Sequence, residues 1–360
     1  MIRNLICAFV GHVDHGKTKI LDYIRGTSVV LQEAGAITQK ISCSSVDVES
    51  IKKLCQGMIK KEITIPGFIF LDTPGHASFT NLRKRGGNLA DIAVLVVDIN
   101  EGIKPQTVEA IEILRTYKTP FVIAANKIDL IDGFRNNNKY VLENVNSLSS
   151  SYIESLDNKI YNIVGKLAEM NIISERFDRI DDYTKQVAIV PTSAKIGMGI
   201  PELMLVLIGL AQKYLEKGLD IDISKPGKGT ILEIQEEKGI GNVIDAVIYD
   251  GHITKNDSII IGGLEVPIIA QVKTLFSVTN HKLNSVNEVD AAANIFISLN
   301  TSDEKNIFAG MPFLVASDDI ENQKIDIQKE VEEVLVQVDN EGVVVKADSL
   351  GSLEALISLL

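Results

Sequence analysis

Cysteine is scarce and irregularly placed. Cys7, Cys43 and Cys55 are an odd number, without the paired spacing of a disulfide framework or a zinc site, so three reduced thiols are expected. Also missing is any apolar run near the roughly 20 residues that span a bilayer. The stretch from Met1 to Val10 has one Arg and a short apolar run. It lacks the cleavage pattern of a signal peptide and reads as the first strand of a cytoplasmic protein. Positive charge is in deficit too: 36 Lys and Arg against 48 Asp and Glu give a net charge of −12. That argues against a chain that coats nucleic acid through bulk electrostatics. The small basic clusters Arg83-Lys84-Arg85, Lys52-Lys53 and Lys60-Lys61 read as solvated helix faces. What remains, 360 residues at 45% apolar content and mean hydropathy +0.15, is a globular chain of two or three domains.

The stretch around which the chain is organised is GHVDHGKT, Gly11 to Thr18. It follows the apolar run Leu5 to Val10 and opens the helical KTKILDYIR, the strand, glycine-bounded loop and helix that a phosphate loop needs. In such a loop backbone N–H groups, including those of Asp14, His15 and Gly16, and the positive end of the helix surround a β-phosphate. Lys17 reaches the β/γ oxygens and Thr18 offers its hydroxyl to Mg²⁺. His12, Asp14 and His15 crowd this loop, but a backbone committed to phosphate argues against a transition-metal site.

Further on, apolar strands alternate with helices. Strands are expected at Gly67 to Leu71, Ile92 to Val97, Phe121 to Ala125 and Val187 to Val190. Helices are expected at Val48 to Lys61, from Pro105 to about Tyr117, and as the amphipathic Glu202 to Glu216. This is the pattern of a parallel α/β sheet covered on both faces. Its strands end in DTPGH (Asp72 to His76), at Asp98, in NKID (Asn126 to Asp129) and in PTSAK (Pro191 to Lys195), at the carboxyl edge where open α/β sheets bind ligands. Thr27 to Lys40 reads as a long loop beside the phosphate site, and Asp132 to Tyr183 as an insertion with a helix around Ile153 to Met170. From Gly229 to Val315 short Ile- and Val-rich strands between turn residues indicate an antiparallel barrel or sandwich, followed by a charged connector, Asp318 to Glu330. GVVVKADSLGSLEALISLL at the end reads as the start of a third α/β unit, so the natural protein is expected to continue past Leu360. The expected domains are 1–219, 220–325 and an incomplete 331–360.

The strand-end motifs carry specific chemistry. Asp72 stands where a carboxylate holds Mg²⁺, and Gly75 can offer its N–H to a γ-phosphate. Asp129 can accept two hydrogen bonds from guanine N1–H and its exocyclic amine. Adenine offers neither, and leaving the carboxylate unsatisfied would cost about 1–3 kcal/mol. Asn126 can brace the site and contact the base edge, and the stem of Lys127 can cover the ring. Ser193-Ala194-Lys195 places the Ala194 N–H where guanine O6 would lie.

GHVDHGKT, EAGAITQ, DTPGHASFTNLRKRGG and ADIAVLVVDINEGIKPQTVEAI together resemble the translational GTPases. Among these the similarity is to the initiation factor 5B family, related to bacterial initiation factor 2. GTILEI with VIDAVIYDG resembles that family's second, β-barrel domain, and GVVVKADSLGSLEAL the start of its third. The resemblance implies a GTP- and GDP-binding, Mg²⁺-dependent GTPase that promotes joining of ribosomal subunits. It acts on both subunits with initiator methionyl-tRNA, which is bound through a further domain outside this chain. A cytoplasmic monomer without membrane contact is expected. It also implies that Thr38 contacts Mg²⁺ and the γ-phosphate, that His76 positions the attacking water, and that Asp14 coordinates a monovalent cation. The family usually has two glycines before the Ile-Thr pair that ends in this threonine; this chain has Gly35-Ala36 before Ile37-Thr38. Three alternatives stand beside this expectation: a tRNA-delivering elongation-type GTPase, an ATP-dependent P-loop kinase, and a module in which GTP merely holds shape.

Overall fold

A computed structural model of the chain describes residues 2–27, 42–59, 62–72, 90–215, 219–222, 224–237, 240–263, 266–279, 282–301, 303–317 and 319–332. Thr38, Gly75 and His76, the loop expected at Thr27 to Lys40 beyond its first residue, and the expected third unit from residue 333 onward lie outside the described residues.

Seven strands form the first sheet: β1 (Leu5–Gly11), β2 (Ser42–Asp47), β3 (Gly67–Asp72), β4 (Ile92–Asp98), β5 (Phe121–Asn126), β6 (Ser174–Arg176) and β7 (Val187–Pro191). Their order is β2-β3-β1-β4-β5-β7-β6, and every pairing is parallel except β2 with β3. The inner strands read as unbroken apolar runs because both faces are covered. In β1, Ile6, Ala8 and Val10 enter one core layer while Leu5, Cys7 and Phe9 enter the other. Each fully buried Leu, Ile or Phe contributes roughly 1.5–3 kcal/mol to holding the layers together. The two edge strands are additional to the sequence reading. β2 is SCSSVD, too polar to announce itself, and β6 has only three residues.

The helices cover these faces: α1 (Lys17–Thr27), α2 (Val48–Leu54), α3 (Pro105–Thr116), α4 (Val141–Asn146), α5 (Ser150–Glu169) and α6 (Ile200–Leu210). α2 is shorter than the expected Val48 to Lys61. It is capped by Asp47, whose side chain accepts from Ser50 N at 2.7 Å, and it ends at Cys55. Inside the insertion, α5 starts at the N-cap Ser149 and turns Tyr152, Leu156, Ile160, Ile163 and Leu167 inward, the spacing of an amphipathic helix. α6 departs from the amphipathic expectation, since nearly every side chain from Ile200 to Ile208 is buried. It begins at Gly199, whose φ of +76° suits glycine. A Cβ there would lie 2.0 Å from Pro191 O.

The second body is a closed antiparallel barrel. Its strands are β8 (Lys228–Glu237), β9 (Gly241–Asp250), β11 (Ser258–Ile261), β12 (Ile268–Thr279), β15 (Ala293–Asn300) and β16 (Pro312–Val315), with β13 (Lys282–Val286) continuing beyond β12. The pairing of β11 with both β16 and β12 closes the ring, which removes the open edges a sheet would expose. β10 (His252–Thr254) and β14 (Glu288–Asp290) form a separate two-stranded sheet. The stretch expected to be a charged connector contains a helix, α7 (Ile320–Glu332), which packs on β11 and β16 and buries Ile327 and Val331.

Barrel and sheet share a core seam. Leu232, Val247 and Ala292 of the barrel region join the layer containing Ile6, Ala8 and Val10, and Asn4 Nδ2 donates to Ala292 O at 3.0 Å. No described helix is long and apolar enough to cross a membrane.

Candidate functional site

The loop from β1 to α1 folds over its own lysine. Lys17 Nζ donates to Gly11 O at 2.8 Å and His12 O at 3.1 Å. Burial, partly offset by Asp72 and Asp14, lowers the Lys17 pKa from its ordinary value. Asp14 takes a left-handed φ of +64° and Gly16 one of +97°, so successive N–H groups turn into one concavity, the geometry of an anion nest. His15 is buried, its ring lies edge-on to His12 with centroids 5.0 Å apart, and its pKa is lowered by burial and by His12. His12 Nδ1 in turn meets Gln106 Oε1.

At the end of β3, Asp72 Oδ2 accepts from Thr18 Oγ1 at 2.9 Å. Its other oxygen, Oδ1, is buried with no hydrogen-bond partner among the described residues. Burial raises the Asp72 pKa, while the Thr18 hydrogen bond and the charges of Lys17 and Arg25 act against it. A hydroxyl and a carboxylate side by side, with one carboxylate oxygen unpartnered, are hard oxygen donors that fit Mg²⁺. No cluster of three or more His, Cys, Asp or Glu able to hold a metal occurs among the described residues. A magnesium ion held by one hydroxyl, one carboxylate and phosphate oxygens needs none.

The second half of the site is built at the ends of β5 and β7, and Asn126 joins it to the first. Its Nδ2 donates to His15 O at 2.8 Å, and its Oδ1 accepts from Ala194 N at 2.9 Å. One amide thus ties the phosphate loop to the loop after β7. Gly16 makes room for it: a Cβ there would lie 2.4 Å from Asn126 Nδ2. Thr192 N donates to Ala125 O and Ile128 N to Thr192 O, at 2.8 and 3.2 Å, so the two loops are also laced through their backbones. Ser193 Oγ donates to Asp129 Oδ1 at 2.5 Å, which orients a half-buried carboxylate. Lys195 is exposed at the rim.

The structure therefore brings together Asp14, His15, Gly16, Lys17, Thr18 and Asp72 on one side and Asn126, Lys127, Asp129, Ser193, Ala194 and Lys195 on the other. The Ala194 N–H, expected at guanine O6, is directed here at Asn126 Oδ1. One residue group was missing from the sequence reading. Lys127 has a left-handed φ of +69°, and its Nζ lies 2.7 Å from Asp98 Oδ2. Asn100 Nδ2 donates to Lys127 O at 3.3 Å. The signal available was the position of Asp98 at the carboxyl end of β4, level with Asn126 across the sheet.

Residues 2–213 match the family described as the elongation factor Tu GTP binding domain. The whole length is similar to archaeal proteins named probable translation initiation factor IF-2. The relative from Methanopyrus kandleri is 46% identical over 370 residues, covering 99% of this chain and 62% of the relative. The one from Archaeoglobus fulgidus is 47% identical over 369 residues, covering 100% and 62%. Among solved structures, GDP-bound aIF5B from Aeropyrum pernix superposes with a TM-score of 0.87 at 44% identity, again covering 100% of this chain and 62% of that one. The chain thus spans about three-fifths of the length of the relatives it matches.

Proposed function

Because this chain belongs to the translational GTPases, the family of the elongation factor Tu GTP-binding domain, we propose that it is the guanine-nucleotide switch of a translation initiation factor. In this reading it binds GTP and GDP, and it hydrolyses GTP when bound to the ribosome. Hydrolysis follows its part in joining the ribosomal subunits with initiator methionyl-tRNA. The observation that carries the proposal is the bridge made by Asn126 between His15 O and Ala194 N. It couples a phosphate-binding loop to a base-binding loop in one rigid unit, as a nucleotide switch requires.

The roles follow from the chemistry of each group. Lys17 and the N–H groups of Asp14, His15 and Gly16 hold the β- and γ-phosphates. Thr18 and Asp72, together with Thr38, would hold Mg²⁺, which would neutralise charge developing on the phosphates. Asp129, oriented by Ser193, reads the guanine edge, Asn126 braces that edge, and the stem of Lys127 covers the ring. Gly75 donates to the γ-phosphate. His76 positions the water that attacks it, and the loss of its imidazole should slow turnover by roughly 10³–10⁵-fold, the range for such groups in phosphoryl transfer. A monovalent cation beside Asp14 would offset charge between the β- and γ-phosphates.

The same reading divides the chain into a GTP-binding domain over 1–219, a barrel domain over 220–325 and a third unit from 331. It makes the protein a cytoplasmic monomer. Two linked measurements test it: competition of GTP against ATP for the chain, and GTP turnover with and without purified ribosomal subunits. Preference for GTP with ribosome-stimulated turnover is expected. Equal affinity for ATP, or turnover indifferent to ribosomes, would contradict it.

A further inference from the structure

Lys127 is held at both ends. Its backbone adopts the left-handed conformation, which a residue with a Cβ keeps only where its surroundings impose it. Those surroundings are explicit: Asn100 Nδ2 and Leu130 N both donate to Lys127 O, at 3.3 and 3.1 Å, and Ile99 N donates to Asn126 O at 2.9 Å. At the other end the ammonium lies 2.7 Å from Asp98 Oδ2. The two partners of that ion pair are not equivalent. Asp98 is nearly inaccessible, with a side-chain exposure of 5% against 29% for Lys127. Its second oxygen is itself fixed by Asn100 N at 2.9 Å and Asn100 Nδ2 at 3.3 Å. Asp98 is thus the anchor, and the long lysine is the group whose course is set.

Burial by itself raises the Asp98 pKa. The Lys127 ammonium and the Asn100 N–H more than offset that, holding it below the usual carboxylate range, so the carboxylate is charged at neutral pH. An unrestrained lysine stem loses rotamer freedom when it is pinned against a ligand. A stem already tied at both ends loses little, which is how preorganisation lengthens the life of a complex.

We propose that Asp98 is a positioning residue of the guanine-nucleotide site: it fixes the path of the Lys127 stem over the bound base and so sets how long the nucleotide stays, leaving base identity to Asp129. This rests on the reading of the site as a guanine-nucleotide site.

The test is the dissociation rate of a fluorescent GDP from four proteins: wild type, Asp98→Asn, Lys127→Met and the double variant. Asparagine keeps the volume of Asp98 and the acceptor for Asn100 N, and turns an uncharged NH₂ donor towards Lys127 in place of the carboxylate oxygen. Methionine keeps an unbranched stem without the ammonium. Asp98→Asn should release GDP on the order of tenfold faster, the scale of losing one hydrogen bond to a charged group. It should leave the ratio of GDP to inosine diphosphate affinity unchanged, and it should add no further acceleration in the Lys127→Met background. Unaltered release from Asp98→Asn would overturn the proposal. So would an equal acceleration with and without the ammonium, since the carboxylate would then act only through the fold of the loop. A changed inosine ratio would place Asp98 in base reading instead. Failure of the wild type to bind GDP at all would remove the underlying reading of the site, a result distinct from each of these.

Discussion

Asp129 is a carboxylate with one oxygen already claimed by Ser193 Oγ, so its position is fixed before any base arrives. Asp129→Asn replaces one acceptor oxygen by a donor. Guanine then faces a donor with its amine, whereas xanthine, which carries a carbonyl at that place, finds a partner. GTP affinity should fall by roughly 10–100-fold, the range for a lost hydrogen bond to a charged group, while xanthosine triphosphate gains. A competition assay with unchanged nucleotide preference would refute the assignment. Gly16 makes a second, purely steric prediction. Its φ of +97° and the 2.4 Å from a would-be Cβ to Asn126 Nδ2 mean that Gly16→Ala must break the bridge to His15 O or distort the loop. It should lose about 1–3 kcal/mol of stability, and it should lose most of the rise in melting temperature that GDP gives the parent protein. These residues were legible because each sits in a fixed spacing whose chemistry is local. Asp98 was not, because its partner is 29 positions away in the sequence and comes alongside only when β4 and β5 pair in register.

At the level of elements, the inner strands and the long helix α5 were readable from apolar runs and from a 3.6-residue stripe. The edges were not, because β2 and β6 have too little to bury. The short helix α4 is fastened by a polar contact that no periodicity announces. α4 starts at Val141 after Tyr140, whose side chain makes no cap. The missing acceptor comes from α6: Glu202 Oε1 accepts from Val141 N at 2.7 Å, and Oε2 is buried without a partner among the described residues. Burial raises the Glu202 pKa, with the Val141 N–H acting against it. The folded protein therefore binds this proton more tightly than the unfolded chain. Its contribution to stability is fully present below the ordinary glutamate pKa and is lost as pH rises through the raised folded value. Glu202→Gln keeps an acceptor for Val141 N and cannot ionise. The variant should gain on the parent in unfolding free energy as pH is raised from about 4 to 8, and denaturant titrations across that range would show it. A constant difference at all pH values would mean that Glu202 binds its proton equally well in the folded and unfolded chains.

At the scale of the whole molecule, the barrel is not an independent bead. β9 is buried along both of its faces: Ile244, Ala246 and Ile248 fill the barrel, while Val247 turns outward into the core layer that contains Ile6, Ala8 and Val10. In the sequence, VIDAVIYD reads simply as a barrel strand, since one apolar run cannot say which body covers each side. Leu232 and Ala292 reinforce the same seam, and Asn4 Nδ2 closes it on Ala292 O at 3.0 Å. With a continuous apolar seam the two bodies should unfold together in a single calorimetric transition. Val247→Asp tests the seam alone. It places a charge in an apolar core layer, at a cost of several kcal/mol if the interface stays shut, whereas opening the interface lets the carboxylate reach water. The barrel-facing residues of β9 are untouched, so the barrel keeps its own core. The variant should show two separated transitions, with the one belonging to the GTPase sheet still raised by GDP and the barrel's indifferent to it. A single transition, merely lower than that of the parent, would mean that the bodies remain coupled without Val247 and that the seam is held by its polar contacts instead.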